Sequence, residues 1–95
     1  VIPKEPAVTL FELSDAAAAA CMATVRRIGN AQKKGLGAEG IVLMQLNGPA
    51  AGQTVPHFHI HSIPGSIGTL RQPHASVMGD MAHLQSVAEK IKSAL

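Results

Sequence analysis

Three histidines alternate with two apolar residues near the middle of the chain, in a pattern that could support chemistry. His57, His59 and His61 are separated by Phe58 and Ile60. This period of two predicts a β-strand, in which alternate side chains share a face and lie roughly 6–7 Å apart. One face would carry three imidazoles, and the other would pack on a core. A neutral imidazole can attack phosphorus or bind a metal ion, so both kinds of chemistry are open.

Two other interpretations of the histidine pattern compete with a phosphorus-directed site. The simplest is a solvated strand face that happens to be rich in histidine. The second is a zinc-binding module, because histidines at alternate strand positions can converge on Zn²⁺. Zinc-bound imidazoles usually have a carboxylate behind them, and no acidic residue lies near the three histidines in the sequence. That lack of a carboxylate argues against the zinc-binding module.

The sequence around the histidines resembles the signature of the histidine-triad (HIT) superfamily. In that signature the three histidines alternate with apolar residues, as they do here, and follow a Gly-Gln-Ser/Thr motif, here Gly52-Gln53-Thr54. Pro6 stands where the fragile-histidine-triad type has proline and most relatives of the nucleoside-phosphoramidase type have histidine. Three other segments are similar to the family's central strand, its long helix and the loop before its motif: 1–4, 11–15 and 47–51.

The resemblance implies a nucleotide hydrolase or transferase that acts at the α-phosphorus of nucleotide conjugates through a covalent nucleotidyl-histidine. The conjugates would be nucleoside phosphoramidates or dinucleoside polyphosphates. By position, His59 would be the nucleophile, His61 would contact the phosphate oxygens and His57 would orient the triad. No metal or other cofactor is implied. A nucleotide-binding protein without turnover is a further alternative.

The resemblance also assigns roles in the loop before the triad. Thr54 stands where the family has a hydroxyl that serves the leaving group. The other phosphate contacts would be Asn47, Gly52 and Gln53. The two remaining histidines are unpatterned: we expect His74 in a loop near the site and His83 on the surface of a helix.

The order of the elements predicts an α+β fold, which the resemblance makes a mainly antiparallel sheet with one long helix and a C-terminal helix. Ser14 is a good N-cap for the long helix, and Gly35 is its expected C′ residue. A strand over Ile41–Leu46 should pair antiparallel with the triad strand, because the loop between them is short. Asp80 should cap the C-terminal helix, which runs to about Ala94.

The composition limits the classes of protein that the chain can represent. Its 95 residues make at most one small domain, and the formal net charge is +2. Only two residues are aromatic, which argues against a nucleic-acid surface that works by stacking. No apolar run approaches the ~20 residues needed to span a membrane. Cys21 is the single cysteine, so we expect no internal disulfide. No signal peptide is visible in the sequence, and we therefore expect a cytoplasmic protein.

The chain starts inside a motif of the family, at Val1. By the resemblance, the N-terminal third of the domain is missing, and residues 1–95 form a HIT-like domain that is incomplete at that end. The core is lean, because much of the apolar content is alanine. Small lean cores often depend on a partner subunit. The resemblance implies that this partner is a second copy of the chain, with the sheet continuing across a homodimer.

Overall fold

The fold is α+β, and it places the three histidines on a segment that crosses a long helix. A computed structural model describes residues 1–65 and 79–95 of the chain. Two short 3₁₀ turns, Leu10–Glu12 and Pro49–Ala51, accompany the regular elements. The regular elements are helix α1 (Asp15–Leu36), strand β1 (Ile41–Met44), strand β2 (His61–Pro64) and helix α2 (Met81–Ala94). The predicted fold class is confirmed.

Helix α1 begins where the sequence predicts and ends two residues later. The Ser14 hydroxyl accepts a hydrogen bond from the Ala17 amide at 3.2 Å, as an N-cap should. Asp15 lies in the first turn, and two lysines lie in the last turn, where the helix dipole favours each charge. The prediction that Gly35 ends the helix is wrong. The left-handed capping residue is Gly37, with φ 67°.

Gly35 has another role, which the sequence pattern did not distinguish from capping. It lies inside α1, at the point where this helix crosses α2. A Cβ atom built on Gly35 would clash with the carbonyl oxygen of Lys90 and would approach the Cβ of Ala94 to 3.4 Å. The missing side chain therefore lets the two helix backbones approach closely.

The two strands pair antiparallel, with Ile41 opposite Pro64 and Met44 opposite His61. This pairing was predicted, but both strands are shorter than predicted. β1 ends at Met44 rather than Leu46, and β2 begins at His61, the last residue of the triad. The prediction that all three histidines lie within a regular strand is therefore wrong.

The backbone before β2 hydrogen-bonds to the N-terminal segment instead of to β1. The Phe58 amide donates to the Ala7 carbonyl at 2.8 Å. Val1 and Ile60 exchange two hydrogen bonds of 2.9 Å. After Pro56, the His57 amide turns back to the Val55 carbonyl. These contacts explain why the regular ladder with β1 starts only at His61.

The hydrophobic core lies directly beneath the triad segment. Phe58 and Ile60 are 2% and 6% exposed, and they pack with Cys21 and Val25 of α1. Ala7 and Leu13 complete the buried cluster. Cys21 is thus a small buried apolar residue, which is the common environment of a free cysteine.

Helix α2 is capped as predicted but is only partly covered. The Asp80 carboxylate accepts a hydrogen bond from the Ala82 amide at 3.1 Å. Among its apolar residues, Val87, Ala88 and Ile91 are half-buried, whereas Met81 and Leu84 are 57% and 48% exposed. Within residues 1–65 and 79–95, neither helix combines the length and apolar character needed to cross a membrane.

The two glycines inside α1 offer a matched test of the helix crossing. Gly35→Ala should lower the melting temperature, because the new methyl group meets the α2 backbone. Gly29→Ala should raise it, because a Cβ there meets only Ile41 Cγ1 at 3.9 Å and alanine favours a helix by roughly 0.5–1 kcal/mol over glycine. Thermal melting of both variants measures the effect. Equal stabilisation by both substitutions would contradict the close approach of α1 and α2.

A carboxylate links the N-terminal segment to the start of α1. Glu5 accepts hydrogen bonds from the Ser14 amide at 2.8 Å and from the Ser14 hydroxyl at 2.7 Å. The amide bond, followed by the hydroxyl bond, lowers the pKa of Glu5 below its ordinary value. Because the folded-state pKa is lowered, this stabilisation exists above the unfolded-state pKa and disappears as the pH falls through the folded-state pKa.

Replacement of the Glu5 carboxylate should therefore change the stability of the fold at neutral pH and change it much less in acid. Glu5→Gln should lower the free energy of unfolding at pH 7, and the difference from the parent should shrink as the pH approaches 3. Urea denaturation across this range measures both. Glu39→Gln, which alters an exposed carboxylate before β1, is the control. A difference from the parent that is independent of pH would contradict the role of the ionised Glu5.

Candidate functional site

The triad segment alternates between buried and half-exposed residues, although most of it is not a regular strand. Phe58 and Ile60 are buried, and the three histidines on either side of them are half-exposed. This alternation is what the period of two predicts. Burial of two apolar side chains therefore presents the imidazoles on the outer side of the segment.

The tautomer of His59 is set by a backbone carbonyl. Its Nδ1 atom lies 2.7 Å from the carbonyl oxygen of His57. A carbonyl only accepts hydrogen bonds, so Nδ1 carries the proton and donates it. In the neutral ring, Nε2 then keeps the lone pair. The contact therefore determines that Nε2 is the ring atom that faces away from this hydrogen bond.

His57 is itself held from the N-terminal segment. Its Nε2 atom lies 3.2 Å from the carbonyl oxygen of Pro3, so Nε2–H is the donor in this contact. The same residue supplies the carbonyl that orients His59. A chain of two hydrogen bonds thus connects Pro3 to His59 through His57.

The rings of His59 and His61 are in direct contact. Their centroids are 4.9 Å apart, and the ring planes meet at 80°, an edge-to-face arrangement. His61 is also the first residue of β2, where Met44 lies opposite it. His61 therefore lies beside the ring of His59, which the His57 carbonyl orients.

The described residues do not supply an evident metal centre. Within residues 1–65 and 79–95, no group of three or more histidine, cysteine, aspartate or glutamate side chains is placed to hold a metal ion. One nitrogen of His57 and one of His59 are already occupied by backbone carbonyls. A metal-bound imidazole also donates its other ring nitrogen to such an acceptor, so these two contacts leave the zinc-binding alternative open.

The loop before the triad is a tight turn with two glycines in positive-φ conformations. Gly48 has φ 92° and Gly52 has φ 99°, and they flank the second 3₁₀ turn. The Gly52 amide donates to the Pro49 carbonyl at 3.0 Å. Thr54, the residue expected to serve the leaving group, is exposed at the end of this loop.

Asn47 ties this loop to the first 3₁₀ turn. Its Oδ1 atom accepts from the Leu10 amide and from Gln45 Nε2, each at 2.8 Å. Its Nδ2 atom donates to Gln45 Oε1 at 2.8 Å. The carboxamides of Asn47 and Gln45 thus form a reciprocal pair. The role of Asn47 as a phosphate contact stays a prediction.

The Gln53 side chain makes three hydrogen bonds, all of them to backbone groups. Its Oε1 atom accepts from the Gly48 amide at 2.7 Å. Its Nε2 atom donates to the carbonyls of Val8 at 2.7 Å and Val55 at 3.0 Å. The residue is only 8% exposed. For Gln53, as for Gly52 and Thr54, a direct phosphate contact stays a prediction.

The sequence analysis missed a second buried glutamine that supports the site. Gln32 Nε2 donates to the Ser62 carbonyl at 3.0 Å, and the Ser62 hydroxyl donates to Gln32 Oε1 at 2.5 Å. Ser62 directly follows His61, so this pair anchors β2 to α1. A signal was present: Gln32 is a polar residue on the same helix face as the buried Cys21 and Val25.

Of the two other histidines, the structure describes His83. His83 is exposed on α2, which agrees with the expectation of a surface residue. His74 lies outside the described residues. The structure therefore brings together His57, His59 and His61 and the loop that precedes them.

A family model and two curated proteins are similar in sequence to this chain. The HIT domain family model matches residues 1–68. The chain is 41% identical over 64 residues to adenosine 5'-monophosphoramidase hnt1 from Schizosaccharomyces pombe, which covers 67% of this chain and 45% of that protein. It is 42% identical over 64 residues to adenylylsulfatase HINT3 from Arabidopsis thaliana, with 67% and 32% covered. The chain spans less than half the length of either relative.

Solved structures show the same similarity. A Hit-like protein involved in cell-cycle regulation from Bartonella henselae superposes with a TM-score of 0.86 at 33% identity, over 99% of this chain and 68% of that one. A Zn-bound histidine triad family protein from Mycobacterium smegmatis gives a TM-score of 0.75 at 31% identity, over 98% and 64%.

Proposed function

Since the chain belongs to the HIT domain family, we propose that it acts at the α-phosphorus of nucleotide conjugates through a covalent nucleotidyl-histidine. The observation that carries this proposal is the 2.7 Å contact between His59 Nδ1 and the His57 carbonyl. It assigns the Nδ1 proton, so that a neutral His59 ring would carry its lone pair on Nε2, the proposed nucleophilic atom. The roles of His57 and His61 as orienting and phosphate-contacting residues are part of the same proposal.

The reaction proceeds in two displacements at one phosphorus atom. The Nε2 lone pair of His59 attacks the α-phosphorus, a P–N bond forms, and the bond to the leaving group breaks with its electron pair. An amine leaving group takes a proton from water through the exposed Thr54 hydroxyl, the proposed relay, whereas sulfate leaves as the dianion and takes none. Water then attacks phosphorus, the P–N bond breaks, and a nucleoside monophosphate, a proton and neutral His59 are released. Transfer to an acceptor other than water follows the same course.

The substrates to test first follow from the names of the two curated relatives. One is named an adenosine 5'-monophosphoramidase and the other an adenylylsulfatase. Both names describe an adenylyl group whose α-phosphorus carries a displaceable group, an amine in one case and sulfate in the other. We therefore infer that adenosine 5'-phosphoramidate and adenylyl sulfate are suitable substrates for this chain. A dinucleoside polyphosphate is the third compound of the same chemical class.

Replacement of the proposed nucleophile should abolish the covalent step. With radiolabelled adenylyl conjugate and rapid quenching, label should appear on the parent protein in a bond that is labile to acid and stable to base, and it should map to His59. His59→Asn should take up no label. Its turnover should fall about 10³-fold or more, or roughly 4 kcal/mol in the barrier. AMP binding should largely survive, because the other donors remain.

Two controls separate this proposal from the alternatives. His83→Asn alters an exposed histidine on α2 and should leave labelling unchanged. Dialysis of the parent against a chelator should also leave it unchanged. Loss of activity that Zn²⁺ restores would instead favour the zinc-binding module. Binding of nucleotide without label or turnover would indicate a non-catalytic nucleotide-binding protein.

A second copy of the chain is the protein partner that we propose. The supporting feature is an apolar face on which Met22 of α1 and Leu43 of β1 are 53% and 47% exposed. Met22 and Leu43 line a shared cavity, and β1 is an edge strand of the two-stranded sheet in the part of the chain that the structure describes. Pairing of two such edges would continue the sheet and cover both side chains.

Sedimentation velocity should therefore report twice the mass of the chain, which is 9.8 kDa. Met22→Glu, which brings a charge into the proposed interface, should shift the protein towards monomer. Ala23→Glu, at a neighbouring exposed position of α1, is the matched control. A monomer at all concentrations, or an equal effect of both substitutions, would contradict a dimer through this face.

The cytoplasm is the compartment that we propose. The support is the single buried Cys21, since disulfides are common in proteins of oxidising compartments and rare in cytosolic ones. Localisation of the tagged full-length protein by cell fractionation tests this, and recovery from a secreted fraction would contradict it.

A further inference from the structure

The Gln53 side chain uses both of its N–H donors and its oxygen in hydrogen bonds within the protein. A carboxamide has two N–H donors, and both donors of Gln53 are used, by the carbonyls of Val8 and Val55. Its oxygen accepts from the Gly48 amide at 2.7 Å. The side chain is 8% exposed, so water has little access to compete for these partners. All three partners are backbone groups of the chain itself.

These three hydrogen bonds join segments that are distant in sequence. Gly48 and Val55 lie at the two ends of the loop that precedes the triad, so one carboxamide closes that loop. Val8 is 45 residues away from Gln53 and lies just before the first 3₁₀ turn. Asn47 holds the same region a second time, through the Leu10 amide at 2.8 Å. The loop is therefore tied to the N-terminal segment at two adjacent points.

A phosphate contact would need the same atoms. Phosphate oxygens accept hydrogen bonds, so the part of Gln53 that could bind them is the Nε2 group. Both protons of that group point to carbonyl oxygens at 2.7 and 3.0 Å. A turn of the side chain towards a substrate would leave these two carbonyls and the Gly48 amide without their partner. Thr54, the next residue, is exposed, and its side chain does not hold the loop together through a comparable set of backbone contacts.

We propose that Gln53 is a positioning residue, which locks the loop between Gly48 and Val55 onto the segment around Val8, and that its carboxamide does not bind the substrate phosphate. This inference rests on the proposed function only in that the loop it locks is the one that presents Thr54 to a nucleotide. The lock itself exists without a ligand. It can therefore be tested independently of turnover.

The first measurement uses the ligand-free protein and amide hydrogen exchange by NMR. Gln53→Met keeps the length of the side chain and removes all three hydrogen bonds. The Gly48 amide should then exchange at least about tenfold faster, as expected when its acceptor is lost. Gln85→Met, on the exposed face of α2, should change nothing at Gly48. Unchanged exchange of Gly48 in a folded Gln53→Met protein would overturn the proposal.

The second measurement uses only the parent protein, so it does not depend on whether a variant folds. The two Gln53 Nε2 protons should exchange slowly before any ligand is present. On titration with AMP, the Thr54 amide resonance should shift and the Gln53 side-chain resonances should stay in place. A Gln53 shift as large as that of Thr54 would show a ligand contact and overturn the proposal. If AMP shifts no resonance, the proposed function has failed, and the ligand-free exchange still decides the role of Gln53.

The kinetic signature of a positioning residue differs from that of a phosphate contact. Gln53→Met should lower kcat by about tenfold or more while KM changes by less than about threefold, because a loose loop misplaces Thr54 without removing a phosphate donor. Gln53→Glu keeps the acceptor for Gly48 and loses both donors, so it should protect the Gly48 amide better than Gln53→Met does. A rise in KM with unchanged kcat would indicate ground-state binding of the phosphate by Gln53 and contradict the proposal.

Discussion

Burial of Phe58 and Ile60 against the inner face of α1 is the constraint on which the site depends. Both side chains are almost fully buried, and burial of a large apolar side chain contributes roughly 1.5–3 kcal/mol. Because they alternate with the histidines, their burial turns the imidazoles outward. A shift of the segment by one residue would bury the imidazoles and expose the apolar pair. The core thus determines the direction of the histidines, although no regular strand carries His57 and His59.

Backbone carbonyls then determine which ring nitrogen carries the proton in the histidines that the core orients. Packing orients the segment, but it does not select which ring nitrogen carries the proton. The carbonyls of Pro3 and His57 make that selection, for His57 and His59 respectively. These acceptors are uncharged and belong to the main chain. The arrangement therefore orients the proposed nucleophile without a carboxylate, in agreement with the lack of acidic residues around the triad.

Much of this arrangement could be predicted from local sequence patterns. The Ser14 cap, the Asp80 cap, the antiparallel pairing and the outward histidines all depend on neighbouring residues or on simple periodicity. The strand limits could not be predicted, because they depend on which distant backbone competes for the triad segment. The role of Gly35 could not be predicted either: a helix crossing and a helix end both favour glycine, and only the position of Lys90 distinguishes them. The partners of Gln53 and Asn47 depend in the same way on the three-dimensional position of Val8 and Leu10.

The reciprocal pair between Gln32 and Ser62 has a consequence for how this chain can change in evolution. Within the part of the chain that the structure describes, every buried side-chain nitrogen and oxygen has a partner. At position 32, that requires a side chain that donates and accepts at one fixed length, which glutamine does and glutamate, leucine or asparagine does not. A substitution at this helical position would therefore leave the Ser62 carbonyl or hydroxyl without its partner, and the attachment of β2 to α1 would be lost with it.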